Sequence, residues 1–261
     1  MTIRGLMTLA AADVILCEDT RTTAKLLGRY GIGSRMSPYH EHNAARVRPG
    51  ILNRLKEGTS AALVSDAGMP LVSDPGYRLV REALEAGIMV TACPGPSAVL
   101  TGLALSGLAT DRFAFLGFLP QKRGERKKLF AEVGGWRATL IFFESPHRIV
   151  DTLNGIAEAM PARPVAMTRE LTKLHEEILR GTAASIAAIL ELRPSIKGEI
   201  TLLIGPPGDE AEAVSGERLD AAIGEALGAM PASKAAAELA RRFNLPKKDI
   251  YARILTLKAD D

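Results

Sequence analysis

Apolar and polar positions along this chain follow two periods. Short, mostly apolar runs recur at Asp13–Cys17, Ala61–Val64 and Ile88–Ala92, and each reads as a buried strand. Between them lie stretches with apolar residues at helical spacing: Ile3–Ala12, about Arg21–Leu27, about Ala44–Glu57, and a helix ending near Ala86. Asp74 and Pro75 have the chemistry of an N-cap and a first helical residue, so that last helix is expected to start there. Strand and helix in alternation predict a mainly parallel sheet covered on both faces. From Gly87 to Thr110 no residue is charged. Pro94-Gly95-Pro96 breaks this stretch, so it reads as a strand, a rigid loop and a helix covered on most sides rather than a membrane span.

The rhythm changes near Phe113. "FAFLGF", "ATLIFF", "RPVAMTRE", "EEILRGT" and "GEITLLIG" read as strands. A helix after "ESPHR" places Ile149, Val150, Leu153, Ile156 and Ala157 on one face. Little helix is expected between the later strands, so this second sheet should be mixed and partly antiparallel. Pro206-Pro207-Gly208 and the acidic "DEAEA" read as a linker. The alanine-rich tail holds two helices split by "NLPKK", at helix-turn-helix spacing; a helical hairpin that merely caps the second domain fits as well. The expected organisation is α/β, in three parts: residues 1–112 with a mainly parallel sheet, 113–210 with a mixed sheet, and 211–261 as a small helical domain.

Composition narrows the chemistry. The chain has 261 residues, 47% of them hydrophobic, and a net charge of +3, which permits an acidic partner such as RNA without demanding one. Its two cysteines, Cys17 and Cys93, lie in separate apolar runs, so no clustered metal site is expected. The N-terminus lacks the pattern of a secretory signal, and with reduced thiols this points to the cytoplasm. No phosphate-binding P-loop is present. Gly31-Ile32-Gly33 follows a helix and reads as its C-cap. His40-Glu41-His42 is spaced wrongly for a helical zinc pair and reads as a solvated loop.

What remains is a set of loops at the carboxyl ends of strands, the edge where open α/β sheets bind ligands. "CEDTR" follows the first strand, "SDAGMPLVSDPG" the second and "CPGPSA" the third. Asp66 and Asp74 alone could be turn caps. Three polar or Gly/Pro-rich loops on one edge favour a ligand. At the junction of the two units, "QKRGERKK" sets Lys122, Arg123, Arg126, Lys127 and Lys128 against Glu125, a strip that would attract a phosphate backbone if it is more than a solvated charge run.

Together, "CEDTR", "VSDAGMPLVSDPG", "CPGPSA", "FLGFLPQK", "FFESPHR" and "MTRELTKLHEE" resemble the small-subunit ribosomal RNA methyltransferases of the tetrapyrrole-methylase superfamily. The resemblance runs from about Ile3 to the end. It implies two α/β domains, a homodimer, no metal and no membrane anchor. It also implies S-adenosylmethionine in the inter-domain cleft, and 16S rRNA or the assembled small subunit as substrate, methylated on a cytidine ribose 2′-hydroxyl. On this resemblance the cofactor loops are Ser65, Asp66, Ala67, Gly68, Met69 and Pro70, with Pro94, Gly95, Ser97 and Ala98; the second domain would add Phe143, Glu144, Met167 and Pro206. The polar residues left for catalysis are Glu18, Asp19, Arg169, Glu170 and Lys173. Glu170, or a desolvated Lys173, would serve as base, while Arg21 and Arg169 would hold phosphate. The same groups could instead make salt bridges across an interface. Family members also begin with a strand and a Pro-x-Gly-Asn loop ahead of the helix that here starts near Ile3, and that strand would sit within the first sheet. Two alternatives stay open: a superfamily methyltransferase acting on a small tetrapyrrole-like or protein substrate, and a catalytically silent RNA-binding protein.

Overall fold

The computed structural model describes residues 1–208, 216–243 and 247–259. The first unit opens with α1 (Ile3–Ala11), β1 (Val14–Cys17), α2 (Thr20–Arg29), β2 (Met36–Pro38), α3 (Glu41–Lys56), β3 (Ala61–Val64) and α4 (Tyr77–Glu85). Its three strands are parallel, in the order β2-β1-β3. Alternation along β1 sorts the core. Ile15 faces Leu9 and Leu27 on one side, while Val14 and Leu16 face Tyr39 and Leu79 on the other. The sheet is therefore covered on both faces, as the continuous apolar run of β1 requires.

Several expected features are corrected here. Strand β2 lies between two expected helices, where no strand is read from sequence; it is short and only partly buried, too weak a signal for periodicity. His40-Glu41-His42 is not a loop: His40 is the N-cap of α3, and its backbone N–H donates to Asn43 Oδ1 at 2.9 Å. Helix α4 starts at Tyr77, not at Asp74-Pro75, with Gly76 as its cap at φ 131°. Ile88–Ala92 is not a strand: it joins no sheet among the described residues, and Met89 is 90% exposed. Apolar character disposes a segment to be a strand, but only a hydrogen-bonding neighbour makes it one, and β3 is paired on one edge only. Cys93, half-buried, contacts Thr8 at 3.3 Å, so only Cys17 is a buried thiol.

The second unit holds α5 (Ala98–Ser106), β4 (Phe113–Phe118), α6 (Arg123–Val133), β5 (Thr139–Glu144), α7 (Ile149–Ala159), β6 (Pro164–Arg169), β7 (Glu177–Thr182), α8 (Ala183–Glu191) and β8 (Ile200–Ile204). The sheet order is β4-β5-β8-β6-β7; β4 and β5 are parallel, and the other pairs are antiparallel. One face, with Leu140, Phe142, Val165, Met167, Leu202 and Ile204, packs on α6, α7 and α8. Helix α8 is absent from the sequence reading because its capping box, Thr182 with Ser185, follows β7 without a loop. The other face, with Ile141, Ala166 and Leu203, takes Val99 and Leu103 of α5. Thus the uncharged helix belongs by sequence to the first unit and by packing to the second.

Gly102 lies at the point of contact. A Cβ there would lie 3.4 Å from both Thr168 Oγ1 and Thr201 Cγ2. At the far end of α5, Arg180 donates to the carbonyls of Leu105 and Ser106, completing a terminus already closed by left-handed Gly107. Beyond Pro207-Gly208, the "DEAEA" segment lies outside the described residues, as does Asn244–Pro246 of "NLPKK". Helices α9 (Gly216–Ala229), α10 (Ala232–Phe243) and α11 (Lys247–Ala259) form a separate core around Ile223, Ala235, Leu239, Ile250 and Ile254.

Arg163 is the most consequential buried polar residue. It is 3% exposed and donates to the carbonyls of Gly205, Gly134 and Ala138, and burial holds its pKa down to about 10. Arg163→Met should strand these carbonyls at about 1–3 kcal/mol each where no water replaces the guanidinium. The expected outcome is a urea midpoint well below wild type with an unchanged m-value.

Candidate active site

The register of the second sheet determines which residues share an edge. Phe118 pairs with Phe143 across β4 and β5, while Glu144 and Arg169 both face Ile200 of β8. The carboxyl ends of β4, β5 and β6 are therefore on one edge, with the start of β8. Helix α5 runs along β6 so that Gly102 meets Thr168 and its other end meets Arg180, which brings the Pro94–Ala98 loop to that same edge. The loop after β3 also arrives there: Ser73 Oγ lies 3.6 Å from where a side chain at Gly117 would begin.

That loop, Ser65–Gly76, is held in an uncommon conformation. Leu71 and Ser73 have φ of 73° and 60°, and Gly68 and Gly76 are also left-handed. Ser65 Oγ both donates to Ala67 O and accepts from Ala67 N–H, making a tight turn. Gly76 is obligatory, since a Cβ would lie 2.5 Å from Leu63 Cδ2. Asp74 stays in the loop, close enough to Glu18 for the charges of Asp74 and Asp66 to bear on it. Desolvation first, and those charges next, raise the Glu18 carboxyl above its ordinary value. Asp19 is different: it caps α2 and chelates Arg21, which holds its pKa down to about 2. Arg21 is thus exposed but already paired.

Across the edge the carboxylates and cations pair among themselves. Lys173 bridges Glu170 and Glu199 at 2.9 and 3.0 Å. That contact lowers the Glu170 pKa and raises that of Lys173, so neither is poised to take a proton at neutral pH. Glu170 and Thr172 are left-handed, and Glu170 folds against Gly198, where no Cβ fits. Arg169 is engaged by Glu177 Oε2 at 2.9 Å and by the Lys197 carbonyl, so it is a structural ion pair and not a free phosphate ligand.

Four further expectations are redrawn by alternation and register. Met167 points into the core under α7 and α8, and the β6 side chains on the α5 face are Ala166 and Thr168. Glu144 also turns away: its fully buried carboxylate binds Arg148 at 2.6 Å, Thr152 Oγ1 and Ser145 N–H, leaving Phe143 as the β5 side chain on the α5 face. Pro206 follows the far end of β8, at the opposite edge of the sheet. It lines a shallow hollow of about 520 Å³ with Arg112 and Arg137, apart from the charged edge. Arg126 is 3% exposed, ion-paired with Asp151, and donates to the carbonyls of Pro120 and Gln121. Of the basic strip, Lys122, Arg123, Lys127 and Lys128 remain on the surface, the first two paired with Glu125 and Glu158. The sequence reading passed over Thr168, Thr201 and Glu199; the register of β6 with β8 could have been found only once the sheet order was known.

Comparison with known proteins places this architecture. The model for tetrapyrrole (corrin/porphyrin) methylases matches residues 1–187, and the chain belongs to that family. Residues 212–258 match the model described as the RsmI C-terminal HTH domain. The chain is 48% identical over 259 residues to the ribosomal RNA small subunit methyltransferase I of Mesorhizobium japonicum, covering 99% of this chain and 87% of that relative. It is 42% identical to the protein of the same name from Halalkalibacterium halodurans, covering 96% and 88%. A cobalt precorrin-4 methyltransferase of cobalamin biosynthesis shares the fold at a TM-score of 0.58 and 18% identity, over 78% of this chain and 88% of its own. Diphthine synthase does so at 0.58 and 14%, over 78% and 84%. Among the described residues no helix is long and apolar enough to cross a membrane, and no cluster of His, Cys, Asp and Glu has the makings of a metal site.

The Glu177 clamp gives a test by pH. Arg193 first, then Arg169, holds its pKa down to about 2. Its stabilising contribution is complete above the ordinary glutamate value and is lost as pH falls from about 5 towards about 2. The urea midpoint of Glu177→Gln should lie below wild type at pH 7 and approach it as pH falls through about 2.

Proposed function

We propose that this protein is an S-adenosylmethionine-dependent methyltransferase of small-subunit ribosomal RNA, acting on a cytidine ribose 2′-hydroxyl of 16S rRNA in the cytoplasm, as a homodimer. The observation that carries this reading is one edge with acidic, glycine-rich and basic elements in sequence, in a chain similar almost end to end to relatives named as methyltransferases of small-subunit ribosomal RNA. The donor set fits the cofactor. Asp66 and Asp74, beside Glu18, offer negative charge to a sulfonium and an ammonium. The N-terminal backbone of α5, at Ala98 and Val99, offers N–H groups to a carboxylate. Ser65–Pro70 and Pro94–Ala98 would hold the cofactor with Phe143 beside them. When bound, S-adenosylmethionine supplies an electrophilic methyl group.

The chain's own residues would then do three things. The loops after β3 and before α5 orient the reacting centre, which must meet the ribose oxygen in line at about 3 Å. Glu18, with its pKa raised, takes or orients the hydroxyl proton, the role that the paired Glu170 and Lys173 leave open. Lys127 and Lys128 hold RNA phosphates. A surface of this charge favours RNA over a small tetrapyrrole, which has no use for an exposed lysine strip.

Methyl transfer from radiolabelled cofactor to small subunits, with mass spectrometry of the nuclease digest, tests this reading; label in 2′-O-methylcytidine is expected, and no transfer to RNA overturns it. Glu18→Gln should lower kcat by about 10²–10⁴-fold while cofactor affinity by titration calorimetry stays near wild type. Lys127→Ala with Lys128→Ala should weaken RNA binding and flatten its salt dependence by a log–log slope of about 1–2.

A further inference from the structure

Strand β4 ends in a feature that the proposed reaction does not yet use. Its pairing with β5 shifts register between Phe115 and Phe118. At the shift, Gly117 is left-handed, at φ 71°. A bulge of this kind turns the next side chain away from the pleat. That side chain is Phe118, which is 60% exposed although it sits where the edge collects its functional groups. Its ring meets Phe143 edge-on at 5.4 Å, and Phe143 in turn meets Phe115 at 4.9 Å. The exposed ring therefore rests on an aromatic stack anchored in the core.

The backbone after it is fixed with unusual thoroughness for a surface loop. Leu119 N–H donates to Phe143 O, and the Leu119 carbonyl accepts from Arg148. Arg126 holds the carbonyls of Pro120 and Gln121. Both arginines are themselves held by carboxylates, Glu144 and Asp151. A ring so positioned loses little entropy on binding a planar partner. The next helix, α6, carries exposed Lys127 and Lys128, for which no ion pair is found among the described residues.

We propose that Phe118 is a specificity-determining platform for the RNA substrate: a nucleobase splayed from the strand stacks on the outer face of its ring while α6 lysines hold the adjoining phosphates. An exposed aromatic ring followed by a helix with exposed cations offers the two chemistries that single-stranded RNA recognises, and a ribose hydroxyl reaches the reacting edge when its nucleotide leaves the helical stack. The inference rests on the RNA reading above and adds the group that receives the base.

The test uses the full chain. Phe118→Ala should raise the Kd for a short cytidine-containing single-stranded RNA, and the KM for small subunits, about tenfold, as the loss of one base stack predicts. Phe118→Trp should restore both. Affinity for S-adenosylmethionine and the elution volume on size exclusion should not change. Trp136 is the only tryptophan, so in the Phe118→Trp, Trp136→Phe variant a single indole reports the site, and RNA should quench its fluorescence. Unchanged RNA affinity in Phe118→Ala overturns the proposal. So does a parallel fall in cofactor affinity, which would make the ring a cofactor contact, or a shift to a smaller species, which would make it an interface between copies. Quenching is read without methyl transfer, so a wild type that transfers no methyl group counts against the functional reading alone.

Discussion

The close approach of α5 to the second sheet at Gly102 is the constraint on which the rest of the site depends. The helix packs directly on the sheet there: a Cβ at Gly102 would meet Thr168 and Thr201 at 3.4 Å, in van der Waals contact. Because α5 follows the last segment of the first unit, this contact joins the two units. It also sets the direction of the helix, so its N-terminal Pro/Gly loop emerges at the carboxyl edge of β6. Arg180, bound to the last carbonyls of α5, holds the other end.

Arginine is used here mainly as an internal fastener. Arg126, Arg148, Arg163 and Arg180 all donate to backbone carbonyls, and each bridges segments distant in sequence. A guanidinium suits this work because it stays charged when partly desolvated and presents several donors in a plane. The consequence for function is that formal charge overstates the cationic surface. The strip that reads as five cations against one acid presents two exposed lysines without an ion pair among the described residues, on the helix that follows Phe118.

Backbone strain gathers at the same edge. Among the described residues, the four non-glycine positions with positive φ are Leu71, Ser73, Glu170 and Thr172, and all fall in loops that follow strand ends on this edge. Such conformations cost on the order of 1–3 kcal/mol each and persist where the surroundings impose them. Here Gly76 packed on Leu63, and Glu170 packed on Gly198, impose them. The loops are therefore held in shape before any ligand arrives.

The strand-helix alternation, the change to a mixed sheet near Phe113, the uncharged helix and the two loops that follow β1 and β3 were all legible in the sequence, because each is written in local periodicity or turn chemistry. So was the family, through motifs whose residue types are too particular to arise from packing alone. Tertiary structure alone decided the rest. Met167 and Thr168 are neighbours in sequence, yet they lie on opposite faces of β6; the identity of the face that meets α5 depends on which strand lies beside it. Glu144 and Glu18 are both glutamates next to strand ends, but one is consumed by Arg148 and Thr152 and the other keeps a raised pKa among carboxylates. Ile88–Ala92 has the composition of a strand and, among the described residues, no partner strand to make it one. Composition and spacing act over a few residues, whereas burial, hydrogen-bond partners and pKa are set by neighbours in space, many of them far away along the chain.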